Sequence, residues 1–384
     1  MRMSPKARQI LLILLVVLFF LLLYQFHVKK DMTDFGVCYQ GGERILKGEV
    51  LYQTSDGHLQ YKYSPVSAVF FSMLTLFPYE LAKLLWYFLE LYLLFLSLTA
   101  SYDILLAKYK KKGWVVALSF FILLKFIGRE IELGQVNILM YFLLLMMIKA
   151  LLEKKDVQGG LFWGFSIFFK PYALVFLPYF LLRKRLKLLA SGMAALVIGF
   201  LLPIFFYGLE KALFVLKEWQ RTLSLSTRSL INQYDNSSIY AFFLKNLPAD
   251  KGKLAWGLSF SLILIAGLFL LGMMFKGKKN GLANPEVLEC SYLLVLIPFL
   301  SPMAWYYNYL YSILAIVFLV NLIDRFPPVL KYILIADFVF IGASLSEVLG
   351  KKGYHFYTQH ALVVIGYLII LFYLVYPRFK LEPA

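Results

Sequence analysis

Residues 10–24 read ILLILLVVLFFLLLY, an apolar run without a charge from Ile10 to Tyr24. A helix needs about 20 mostly apolar residues to cross a bilayer, and this run is most of one crossing. Similar runs recur almost to the C-terminus, among them Leu81 to Leu106, Leu254 to Phe275 and Tyr306 to Ile323, separated by basic clusters and two longer polar segments. The 384 residues are 61% hydrophobic and 16% charged, with a mean hydropathy of +0.73. A soluble domain could not cover that much apolar surface with polar side chains. The expected fold is all-α: a polytopic integral membrane protein of about 10–13 helices forming one transmembrane domain.

The formal charge of +17 comes from 39 basic and 22 acidic residues. They do not form the single basic stripe that nucleic acid demands. Instead they punctuate the apolar runs, as the Lys and Arg excess of cytoplasmic loops does. Lys108 to Lys112, Lys154 with Lys155, Arg183 to Lys187, Lys276 to Lys279, Arg325, and Arg378 with Lys380 can all be cytoplasmic together. The first run follows Arg2, Lys6 and Arg8, has no small-residue cleavage site after Tyr24, and reads as an uncleaved signal anchor. Both termini are then cytoplasmic in the cell membrane, with extracytoplasmic segments at residues 27–63 and 208–253. Ser64 to Phe77 is too short to cross and reads as re-entrant or half-buried. Trp114 to Phe126, Gln135 to Leu152, Leu188 to Tyr207 and Val329 to Leu349 read as single crossings. Gly159 to Leu182 reads as two short helices meeting at Lys170-Pro171.

Cys38 and Cys290 are too differently placed to pair, and no Cys/His spacing points to a metal. The first outside segment suits an interfacial helix entered at Asp34 and ended by Gly48, with Phe35, Val37, Ile45 and Leu46 as its apolar positions. Asp34 either caps that helix or presents a reactive carboxylate at the membrane surface. Asp31, Glu43 and Glu49 are rival carboxylates. Lys170 is the only charge between Gly159 and Leu182. A lysine at depth costs about 2.5–3.5 kcal/mol, so it faces a cavity or partner, or else snorkels from a short hairpin. Gly134-Gln135-Val136-Asn137 opens a helix after Arg129 and Glu130, and its two amides can bind sugar hydroxyls or phosphate oxygens, or satisfy the helix's own donors. Tyr61 to Pro65 and Ser301 to Asn308 bring aromatics that serve as interface anchors or as a flat wall for a sugar ring. Asn236 begins an N-x-S sequon, read as a chance match. Asp34, Arg44, Tyr63, Arg129, Gln135, Asn137, Asn236 and Trp305 share the outer boundary, and Lys170 approaches it from within.

The order Asp34, Tyr39, Gly48, Tyr52; Tyr63-Ser64-Pro65; Gly134-Gln135-Val136-Asn137; Gly160, Gly164, Lys170-Pro171; Asn236-Ser237-Ser238; Ser301-Pro302 and Trp305 resembles the polyprenyl-phosphate-mannose-dependent α-mannosyltransferases. These are family 87 of the glycosyltransferases, in the C-type membrane superfamily, and the likeness runs from about Asp31 to Ser312. It implies transfer of a sugar from a polyprenyl phosphate to a lipid-linked or cell-surface glycan, with Asp34 as general base. A phosphate leaves without an acid, so one carboxylate suffices where glycoside hydrolysis needs two. Lys170, Arg129 or Arg44 would stabilise the departing phosphate, and Tyr39, Tyr63, Gln135, Asn137, Asn236, Trp305 and Tyr306 complete the expected substrate site. No cofactor or metal is expected. The partners are the lipid-linked donor, the glycan acceptor and membrane lipids. Where the family has one or two histidines after Trp305, this chain has Tyr306, Tyr307 and Asn308, and Lys245 stands nearest to where an arginine commonly follows Asn236.

A transporter or flippase of lipid-linked sugars is the alternative, with Asp337 as its ion site unless Lys331 or Arg325 pairs with it. A polysaccharide ligase would carry an arginine-rich outer loop, and residues 208–253 hold only Arg221 and Arg228.

Overall fold

The computed structural model describes residues 5–30, 32–276 and 284–380; Arg2, Asp31, Lys278 and Lys279 lie outside these. Regular structure among the described residues is helical, with no strand. Helix α1 (Pro5–Leu23) runs on through a π-helical turn to Val28. It is followed by α2 (Thr33–Leu46), the short α3 (Pro65–Ser72), α4 (Tyr79–Asp103), α5 (Lys112–Leu133) and α6 (Asn137–Leu152). Next come α7 (Asp156–Phe169), α8 (Phe176–Leu182), α9 (Leu186–Leu201), α10 (Ile204–Leu230), α11 (Ile239–Asn246) and α12 (Gly252–Lys276). The chain closes with α13 (Pro285–Leu300), a 3-10 stretch Tyr306–Ser312 leading into α14 (Ile313–Leu322), α15 (Pro328–Gly342), α16 (Ser346–Gln359) and α17 (Val363–Phe379).

Helices α4 and α12 and the stretch Tyr306–Arg325 are each long and apolar enough to cross a bilayer. The last is apolar all round because it is the hub, with nearly every residue enclosed by other helices. Three further helix pairs are long and apolar enough only together and bend sharply at a short break, each a broken span or a re-entrant loop: α5 with α6 at 118°, α9 with α10 at 95°, and α15 with α16 at 86°. Two crossings expected to be continuous are therefore broken. The run from Leu188 to Tyr207 stops after Leu201, where Pro203 removes a donor, and Gly208 at φ +72° turns the chain again. Much of the expected outer segment 208–253 is thus helical. It is tied to the segment that links α2 to α3 by Tyr207 Oη on Glu49 O at 2.7 Å and Trp219 Nε1 on Lys62 O at 3.1 Å. The run from Val329 to Leu349 likewise breaks after Gly342.

Asp337 does not pair with Lys331 or Arg325. Six residues apart on a helix, Lys331 and Asp337 point to different faces. Lys331 donates to Asp324 at 2.6 Å, the Arg325 guanidinium lies 5.4 Å from the Tyr109 ring, and Asp337 is buried against Gly366 of α17. At the α8 end of the bundle, wholly buried Glu289 on α13 takes the Arg183 guanidinium and the Tyr179 hydroxyl, the latter at 3.0 Å.

Two close approaches set the site. A Cβ on Gly160 would lie 2.2 Å from Leu188 O, so α7 meets α9 backbone to backbone, the small-residue contact common between membrane helices. That contact fixes the end of α7, where Lys170 takes up extended backbone ahead of Pro171, as expected. Ser64 caps α3 by accepting from Ser67 N, with Pro65 in the first turn, and its hydroxyl donates to Phe168 O at 2.6 Å. The Tyr63-Ser64-Pro65 motif is thereby pinned beside Lys170.

Candidate active site

Helix α5 ends at Gly134 in the left-handed region, φ +66°. A Cβ there would sit 2.5 Å from Met32 Cγ and 2.7 Å from Phe35 Cβ. Glycine is required twice over, for the turn and for the approach of the α5–α6 corner to the start of α2. The approach brings Gln135 to Asp34.

Gln135 Nε2 donates to Asp34 Oδ2 at 2.6 Å. Lys170 Nζ donates to Gln135 Oε1 at 2.9 Å and to Asn137 Oδ1 at 3.1 Å. An ammonium only donates, so it fixes the glutamine oxygen toward itself and leaves the NH2 for the carboxylate. Tyr63 Oη donates to the same oxygen at 3.1 Å, and Tyr311 Oη to Asn137 Oδ1 at 3.0 Å. Behind them Glu130, buried on α5, accepts from Asn137 N at 2.6 Å, Asn137 Nδ2 at 2.8 Å and Ile138 N at 3.2 Å. Two orphan donors of α6, the Asn137 and Ile138 N–H groups, are thus met by Glu130, and the Asn137 side-chain oxygen faces Lys170.

Met32 (φ 100°) occupies the cap position of α2, and no side chain caps the helix. Asp34 therefore does not serve as the cap; it stands in the first turn, where a helix N-terminus favours negative charge. Burial pushes its carboxyl above the usual range, against the pull of the Gln135 hydrogen bond and of Lys170, Lys62 and Arg129. Burial also lowers the Lys62 ammonium, and Asp34 counters it. The Lys170 ammonium lies 5.8, 5.7 and 5.6 Å from the ring centres of Tyr63, Tyr172 and Tyr307, so aromatic faces wall the cation.

Asp34, Tyr63, Gln135, Asn137 and Lys170 are thus one hydrogen-bonded group. Arg129 stays close enough to act on Asp34 electrostatically, while pairing with Glu132 at 2.8 Å. The other candidates are engaged elsewhere. Arg44 is buried and spends its guanidinium on Asp56, at 2.5 and 2.8 Å, and on Leu51 O. Tyr39 donates to Phe77 O at 2.9 Å. Asn236 donates to Ile231 O and Pro302 O and accepts from Ser238 N and Ala304 N, which locks the Asn-Ser motif onto the Ser301-Pro302 motif. Trp305 is partly exposed beside that lock, and Tyr306 packs under Lys125, whose ammonium is 4.1 Å from its ring centre. Glu130 and Tyr311 were given no role from sequence; Glu130 stands between Arg129 and Glu132 in the last turn of α5, and only its contacts to Asn137 and Ile138 set it apart. Among the described residues no cluster of three or more His, Cys, Asp or Glu could hold a metal ion.

The chain belongs to glycosyltransferase family 87, whose model matches residues 61–302, and is a membrane glycosyltransferase. The match takes in Tyr63, Arg129, Gln135, Asn137, Lys170 and Asn236 and begins beyond Asp34, which the Gln135 hydrogen bond ties to them. No curated protein and no solved structure matches the chain.

Proposed function

We propose that the enzyme moves mannose from a polyprenyl phosphate to a hydroxyl of a lipid-linked or cell-surface glycan, with inversion, on the extracytoplasmic face of the cell membrane. The observation that carries this reading is the Gln135 amide, which holds Asp34 at one end and Lys170 at the other. Asp34 takes the proton of the acceptor hydroxyl as its oxygen bonds to the anomeric carbon. The bond from that carbon to the phosphate oxygen breaks, and the polyprenyl phosphate leaves with the electron pair. Lys170, assisted by Arg129, offsets the charge gathering on that phosphate. Tyr63, Tyr172 and Tyr307 supply ring faces for a sugar, and the fixed separation of Asp34 and Lys170 by one amide holds acceptor and leaving phosphate at its two ends. Membership of a transferase family removes the support for the flippase alternative.

The test is transfer by purified protein in lipid nanodiscs, given a membrane lipid extract and polyprenyl phosphates labelled separately on mannose, glucose or galactose. Label leaving the mannosyl lipid for a new product is the expected result. Label moving from another donor alone would overturn mannose, and failure of every donor would overturn lipid-phosphate dependence.

A further inference from the structure

A cavity of about 340 Å³ opens between the end of α1, one stripe of α2 and the start of α4. Thr33, Gly36 and Gln40 of α2 line it, and Asp34 is turned about 100° away from Thr33 on the same helix. The cavity is therefore separate from the Asp34–Lys170 group. Its charge is one-sided: Lys29, Lys30 and Lys83 face it, against the single acid Glu80 among the described lining residues.

Lys83 is 3% exposed, a burial that an ammonium does not tolerate without partners. It donates to Lys29 O at 3.2 Å, pairs with Glu80 at 2.9 Å and lies 5.2 Å from the Tyr79 ring centre. The Glu80 side chain is 72% exposed, so water screens its charge and Lys83 is incompletely neutralised. Lys29 and Lys30 are exposed, and neither is in an ion pair among the described residues. Phe26, Leu76, Phe77 and Leu81, close in sequence to these lysines, are exposed apolar side chains of the kind that face lipid. A cationic hollow with such residues a few positions along the chain from its lysines suits an anion that carries a hydrocarbon tail.

We propose that this cavity binds the phosphate of a membrane lipid, at a site distinct from the one where sugar is transferred. The lysines hold the phosphate, Gln40 and Thr33 offer neutral donors, and the hydrocarbon chain extends toward the exposed apolar side chains. The site does not rest on the transferase reading, because its occupancy is measured without turnover.

The test is equilibrium binding of labelled polyprenyl phosphate, phosphatidylglycerol and inorganic phosphate to protein in phosphatidylcholine nanodiscs. Lys29→Ala/Lys30→Ala, at two exposed positions, should weaken lipid-phosphate binding about 30-fold, as two surface lysines contribute. Glu80→Gln should tighten it, and Lys170→Met should leave this component unchanged. Preference for polyprenyl phosphate would make the occupant a substrate-type lipid, and equal binding of phosphatidylglycerol a general anionic one; either supports the site. Unchanged lipid binding in both the double variant and Glu80→Gln would overturn it. Loss of the component in Lys170→Met would overturn its separateness, and binding of inorganic phosphate without lipid would overturn the lipid.

Discussion

Gln135 stands between Asp34 and Lys170, its NH2 2.6 Å from the carboxylate and its oxygen 2.9 Å from the ammonium, and the two charges make no direct ion pair. A carboxylate locked onto a lysine would be a poor base. The interposed amide keeps both charges in one site while leaving Asp34 oxygen capacity for an acceptor hydroxyl. Replacing Gln135 by Ala removes hydrogen bonds to two charged groups, and kcat/KM should fall about 10- to 100-fold. Steady-state kinetics with native-like thermal unfolding would check that the loss is in the site.

The acid limb of the pH profile should belong to Asp34. Its carboxyl is raised by burial, so the basic form fills only above the usual carboxylate range, and kcat/KM should climb with pH through that raised value. Lys170 pulls the value down more than Lys62 does. Lys170→Met should shift the limb to higher pH, and Lys62→Met should shift it the same way by less. Stability has the opposite sign: the folded state holds this proton more tightly than the unfolded one, so the contribution favours folding at low pH and is lost as pH rises through the folded value. Asp34→Asn should consequently raise Tm at neutral pH, a gain that disappears in acid.

Gly134→Ala tests the corner that delivers Gln135. The left-handed backbone and the overlap with Met32 and Phe35 should cost about 1–3 kcal/mol. Asn tolerates the left-handed region but brings the same Cβ, so a loss of Tm and kcat that persists in Gly134→Asn would show that the approach matters as well as the turn.

Much of the frame was legible because it depends on hydrophobic runs and breakers. The helix that begins at Thr33 and yields at Gly48, the break at Lys170-Pro171 and the short Pro65 helix follow from charge, proline and glycine positions alone. The bends after Leu201 and Gly342 were not legible, since hydropathy stays high across them while backbone direction changes. In the site, Gln135 and Lys170 stood out as polar groups in apolar surroundings. Glu130 and Tyr311 did not, because their roles depend on contacts across 7 and 174 positions. Arg44 and Asn236 looked available in sequence for the same reason: nothing local reveals that Asp56 and the Pro302–Ala304 backbone consume them.

Glu289 anchors the opposite end of the bundle. Removing its charge leaves Arg183 without its buried partner, and Glu289→Leu should destabilise by about 3–5 kcal/mol. The pair replaced together, Arg183→Met with Glu289→Leu, should recover only part of that loss in thermal unfolding, because buried Arg378, 3.9 Å from Glu289, also loses that carboxylate, with the pH profile unmoved in both.

The most direct measurement is single-turnover transfer by Asp34→Asn beside wild type, with labelled polyprenyl-phosphate mannose prebound and the acceptor extract added. Asparagine keeps the shape and an acceptor for Gln135 but cannot take a proton, so the account predicts a rate lower by about 10²–10⁴-fold with donor affinity nearly unchanged. Transfer at the wild-type rate would contradict Asp34 as the base.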